Sequence, residues 1–81
     1  MKISAKQQAY YLLKVFGYDF YKKEDIIMLE SGNNEYNNFN YILCTTTAKS
    51  FVYRFRYTIN DKLIKSWEME TLYYKDVFKE D

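Results

Sequence analysis

The chain has 81 residues, a net charge of +1, 10 Tyr, 6 Phe, a single Cys and no His. That length supports one domain, 1–81, because so short a chain cannot build two cores. The charge balance argues against the basic excess of a protein held on nucleic acid by electrostatics, and equally against an acidic mimic of DNA. With Cys44 alone no intrachain disulfide forms, which suits a reducing compartment. No stretch approaches the roughly 20 apolar residues that span a bilayer, and the N-terminus lacks a signal-peptide core. The expectation is a cytoplasmic protein. Residue usage is heavy in Lys, Asn, Ile, Tyr, Phe and Met and poor in Gly, Ala, Arg and Pro. That codon-linked bias points to a low-GC bacterium, its phage or its plasmid.

The first predicted element is a helix near Ser4–Phe16. Ser4 is a good N-cap, and Gln7 three residues on completes a capping-box pattern. Ala5, Ala9, Leu12, Leu13 and Phe16 form one apolar stripe at helical spacing, and Gly17 supplies a left-handed stop. Asp25–Glu30 reads as a strand, with a second short helix as the rival. Ser31–Asn38 reads as a loop, since Gly and Asn tolerate turn conformations.

From Phe39 onward the apolar period is two. Phe39, Tyr41, Leu43 and Thr45 alternate with other residues, as do Phe51, Tyr53, Phe55, Tyr57 and Ile59, and then Leu63, Trp67 and Met69. Three alternating runs joined by short turns predict an antiparallel meander. Pairing residue 59 with 63 sets Phe55 opposite Trp67, Tyr53 opposite Met69 and Arg54 opposite Glu68. The same logic pairs Leu43 with Phe55 and Tyr41 with Tyr57. Lys65 is then a misfit on the apolar side. Leu72–Asp81 reads as a short helix or tail anchored by Leu72, Val77 and Phe78. The expected fold is α+β: an N-terminal helix packed on a meander of three or four antiparallel strands, with a short C-terminal helix or tail.

Chemistry-bearing motifs are sparse. Without histidine, the commonest general base and metal ligand are both missing. Asp19, Glu24, Asp25 and Glu30 lack calcium-loop spacing, and Glu68 and Glu70 share a strand face without any sign of a pocket. Thr45–Ser50 lacks the glycines of a phosphate loop and reads as a β-turn. Cys44 is expected on the outer face near Arg54. No catalytic residue, cofactor or metal is predicted, and the reading is of a non-enzyme.

The strand Ser50–Asn60, "SFVYRFRYTIN", alternates aromatic and basic residues and holds both arginines. Its aromatics read as core, with Arg54 and Arg56 outside. Arg54 has a cross-strand partner in Glu68, whereas Arg56 faces Ser66 and lacks one. The doublets Tyr10-Tyr11 and Tyr73-Tyr74 cannot both point inward, and exposed Tyr and Arg suit protein interfaces. The expected function is protein binding, with Tyr10, Tyr11, Arg54, Arg56 and Tyr73 as interface residues. The profile is that of a phage or mobile-element accessory protein, a stoichiometric inhibitor or modulator of a host or defence protein, as anti-CRISPR proteins are. The alternatives are a nucleic-acid binder using Lys49, Arg54, Arg56, Lys62 and Lys65, or a self-associating subunit such as a homodimer.

Overall fold

A computed structural model describes residues 4–34, 39–60 and 63–79, with the backbone alone at 59–60 and 63–65. The elements are α1 (Ala5–Val15), a 3-10 turn (Lys23–Asp25), β1 (Ile26–Asn34), β2 (Phe39–Thr46), β3 (Phe51–Asn60), β4 (Leu63–Tyr73) and α2 (Tyr74–Val77). The strands form one antiparallel sheet in the order β1-β2-β3-β4. The molecule is therefore α+β, an N-terminal helix on an open four-stranded meander with a short C-terminal helix.

Helix α1 has the boundaries its sequence encodes. Ser4 is extended, and its hydroxyl accepts the Gln7 N–H at 3.1 Å. At the other end Gly17 takes φ +94°. Its N–H donates to the Lys14 carbonyl at 3.0 Å and that of Tyr18 to the Leu13 carbonyl at 2.8 Å, the paired bonds of a Schellman stop. Ala9, Leu12 and Leu13 are fully buried against Ile26, Ile42, Cys44, Tyr53 and Phe55. Each such aliphatic or aromatic side chain contributes about 1.5–3 kcal/mol on leaving water. The helix lies chiefly over β1 and β2. It packs on one face of the sheet, the covered face; the opposite one is the open face.

Asp25–Glu30 is strand from Ile26 onward, and β1 runs on through Ser31–Asn34, where a loop was expected. Pairing with β2 overrides the local turn preference. Asn33 and Asn40 are opposed and joined by a 2.9 Å side-chain hydrogen bond, and Gly32 lies opposite Tyr41. A Cβ at Gly32 would stand 2.7 Å from the Tyr41 hydroxyl, so glycine lets that ring lie across the strand.

Two expected registers are corrected. In β2–β3, Ile42 rather than Leu43 faces Phe55, and Tyr41 faces Arg56 rather than Tyr57. The one-residue shift exchanges the faces of β2: Ile42 and Cys44 go to the core, Tyr41 and Leu43 to the open face. Both alternate sets of β2 are apolar enough to be buried, so its pattern specifies no face. The connection decides it, a tight turn closed by the Lys49 N–H on the Thr46 carbonyl at 2.9 Å, with Lys49 itself at φ +53°. In β3–β4, Asn60 pairs with Leu63, and a bulge between Thr58 and Ile59 passes over Lys65. Beyond it Tyr57 faces Trp67, Phe55 faces Met69, Arg56 faces Glu68 and Arg54 faces Glu70. The bulge leaves Lys65, the expected misfit, out of the backbone register, and its side chain lies outside the described residues. At the C-terminus Leu72 is strand rather than helix, opposite Val52, while the short helix forms at Tyr74–Val77 with Val77 and Phe78 partly in solvent and the Phe78 ring 4.6 Å from that of Tyr74. Val52 is fully buried but stands apart from the helix-side core. It shares an open-face row with Ile27, Thr45 and Leu72 beside α2, which packs against β3 and β4.

Candidate functional site

The open face is a charged lattice. Arg54 is ion-paired with Glu70, and the Arg56 guanidinium lies 3.7 Å from Glu68 and 5.7 Å from the centre of the Phe39 ring. Arg56, expected to lack a partner, has one because the bulge moves Glu68 opposite it. The Tyr41 hydroxyl donates to Glu30 at 3.3 Å, and the neighbouring carboxylate raises the tyrosine's pKa. Glu30, Glu68 and Glu70 thus stand with Arg54 and Arg56, three negative charges against two positive. A hollow of about 240 Å³ lies around Phe39, Arg56, Trp67 and Glu68 and is open to solvent. It is smaller than the roughly 300–1,000 Å³ of sites that enclose a small molecule.

The Cys44 thiol and the Tyr53 and Tyr57 phenols of the covered face are buried. Cys44 is on the covered face, fully buried, and burial pushes its thiol up to about 12. This corrects the expected outer-face position, where a nearby arginine would have lowered the pKa. Burial, together with the 2.6 Å hydrogen bond to Tyr21, raises Tyr53, and burial raises Tyr57, whose hydroxyl donates to Gln8. All are held in the neutral form. Among the described residues no group of three metal-ligating side chains gathers, and no helix is long and apolar enough to cross a membrane.

The covered face changes character across its width. Over Ile26, Ile42 and Cys44 it is sealed by α1. Over β3 the loop after α1 takes over, with Tyr18 5.3 Å and Tyr21 6.0 Å from the Tyr53 ring, centre to centre. Beyond that cover the apolar surface is bare. Along β4, Trp67 is 42% exposed and Tyr73 58%, with partly buried Met69 between them. Phe51, 38% exposed, lies 5.7 Å from Tyr73 and 6.4 Å from Tyr53. Phe20, 69% exposed, packs 4.5 Å from Tyr21. Phe20, Tyr21, Tyr53, Phe51 and Tyr73 are thus a chain of touching rings whose middle is core and whose ends are in water.

The five residues expected at a protein interface do not share a surface. Tyr10 is half-buried against the core, with the Lys14 ammonium 4.5 Å above its ring, and Tyr11 is exposed on α1. Arg54 and Arg56 are on the open face, and Tyr73 is at the end of β4 on the covered face. Of the alternative set, Lys49 is exposed in the β2–β3 turn, Lys62 lies outside the described residues, and the side chain of Lys65 does too. Sequence reasoning missed Phe20, Phe51 and Trp67. Phe51 and Trp67 sit in alternating runs that read as core, and Phe20 lies in a segment without a periodic signal. No family model matches the chain, and neither a curated protein nor a solved structure matches it.

Proposed function

We propose that this is a non-catalytic binding protein that docks another protein against the bare aromatic half of its covered face. One observation carries the reading: the exposed rings of Phe20, Phe51 and Tyr73 are continuous with the buried aromatic Tyr53, and exposed Trp67 stands across from buried Tyr57. Rings already ordered by core contacts lose little further entropy on binding, and Trp and Tyr are the residues most often found as interface hot spots. The mode of action is occlusion of a partner surface, as a stoichiometric inhibitor or modulator of a host or defence protein would act. The AT-rich residue usage supports an origin in a phage or mobile element of a low-GC bacterium. On the open face Arg54 and Arg56 are engaged by Glu70 and Glu68, which weighs against a phosphate-binding role.

The test is capture by the tagged protein from a low-GC bacterial lysate, with and without nuclease, beside a Trp67→Ser/Tyr73→Ser variant. The expected result is one protein recovered in near-equal amount, indifferent to nuclease, and lost in the variant while its thermal melting stays cooperative. Recovery that disappears with nuclease supports the nucleic-acid reading instead. Capture unchanged in the variant moves the interface elsewhere.

A further inference from the structure

The edge of β4 differs from the edge of β1. In β1 the pairing with β2 skips Leu29 between Met28 and Glu30, and the outer half reads Glu30, Ser31, Gly32, Asn33. A bulge is one of the usual protections of an exposed edge. In β4 the bulge falls before the strand's long regular part. From Ser66 to Tyr73 all eight residues stay in register with β3, and the sheet order leaves their other side unpaired among the described residues. The chain has no proline to interrupt it. Trp67, Met69, Thr71 and Tyr73 line one face of this run, and Ser66, Glu68, Glu70 and Leu72 the other.

We propose that the β4 edge is a docking strand that takes an extended segment of the partner protein as a fifth strand, and that this segment alternates apolar or aromatic residues with basic ones. The inference rests on the protein-binding reading of the same surface and names the partner's chemistry. Charge complementarity specifies it. The glutamate side chains remain exposed, Glu68 at 71% and Glu70 at 50%, although each already meets an arginine from β3. An ionised carboxylate offers about four lone-pair sites, so each can accept from a second cation on its outer side. β3 is an internal template for the match. It sets Arg54 against Glu70 and Arg56 against Glu68 on the open face, and Phe55 against Met69 and Tyr57 against Trp67 on the other. An incoming strand of that pattern repeats those rows on the far side of β4, with main-chain hydrogen bonds for affinity and alternate side chains for specificity.

A second copy of the chain fits this edge poorly. Antiparallel twofold pairing of β4 with itself, centred on Glu68, Met69 or Glu70, sets a glutamate directly opposite a glutamate in each case. Like charges directly opposed across strands destabilise the pairing.

The probe is a synthetic peptide of the Ser50–Asn60 sequence, added to the full-length protein and followed by amide hydrogen exchange in NMR spectra. Saturable binding is expected, with alternate amides of Ser66–Tyr73 exchanging at least tenfold more slowly and those of β3 unchanged. The same peptide carrying Arg54→Glu and Arg56→Glu is expected to bind at least tenfold more weakly. No saturable binding, or binding without protection in β4, overturns the proposal, as does displacement of β3 by the peptide. β4 amides already protected in a free protein that scatters light as a dimer assign the edge to a second copy, which also overturns it. If the peptide fails while the Trp67→Ser/Tyr73→Ser variant still loses its captured partner, only the edge pairing is discarded. If both fail, the binding surface itself is discarded.

Discussion

Arg54 and Phe55 are neighbours in β3, yet they belong to two surfaces built by different physics. Phe55 is wholly buried beneath Phe16, 6.2 Å away between ring centres, in a core sealed by α1 and the loop after it. Arg54 stands in solvent on the open face, paired with Glu70. The covered face supplies stability through removal of apolar area from water. Apart from the buried row of Val52 and Thr45 beside α2, the open face contributes little of that and is ordered by ion pairs and one tyrosine laid over a glycine. A layer covered on one side only leaves the sheet amphipathic, which an antiparallel sheet tolerates. The exception is β4, where the covered face extends past its cover.

The sharpest test of this division is in β2, where Ile42 and Leu43 are adjacent and equal in size. Ile42→Ala is expected to cost about 2–5 kcal/mol in urea unfolding, and Leu43→Ala less than half of that. Equal or reversed costs would break the assignment of faces, because the alternative register buries Leu43 instead.

Alkaline titration tests the covered face next. Cys44, Tyr53 and Tyr57 are buried on the covered face with pKa values raised from 9.0 and 10.0, Cys44 to about 12. The folded state therefore holds protons that the unfolded chain releases. Their stabilising contribution is complete below about pH 9 and declines as pH rises through 9–12. Urea midpoints should be level from neutral pH to about 9 and fall above it, with Cys44→Ala removing the earliest part of the fall. Midpoints flat to pH 11 would sink this account.

On the open face, Gly32→Ala and Tyr41→Ala should be non-additive by at least about 0.5 kcal/mol. An added methyl pushes the Tyr41 ring from its seat and from Glu30, and without the ring it meets no such obstacle. Strict additivity would show that the ring does not rest on Gly32. The smallest effect belongs to Arg54 and Glu70. A double-mutant cycle with Arg54→Met and Glu70→Gln should give about 0.2–1 kcal/mol at low salt and less at high salt, since the pair is half-exposed.

Much of the architecture was legible because several local signals agreed. In α1 the Ser4 cap, the apolar stripe and Gly17 all specify the same boundaries, and the three later strands follow from period-two runs. The surface was less legible. Nothing in Phe51 or Trp67 distinguishes a core aromatic from an exposed one, because that depends on how far α1 reaches across the sheet. The partnership of Arg56 with Glu68 could not be read either, since it depends on a one-residue bulge at Lys65.

The sequence by itself determined the α+β class, the helix with its cap and stop, and the antiparallel meander, because caps, breakers and periodicity act within a few residues. Tertiary structure alone decided which face of β2 is buried, which glutamate meets which arginine, and that β4 is left bare. Those outcomes depend on turn geometry, a bulge and the span of one helix, each of which moves whole rows of side chains together.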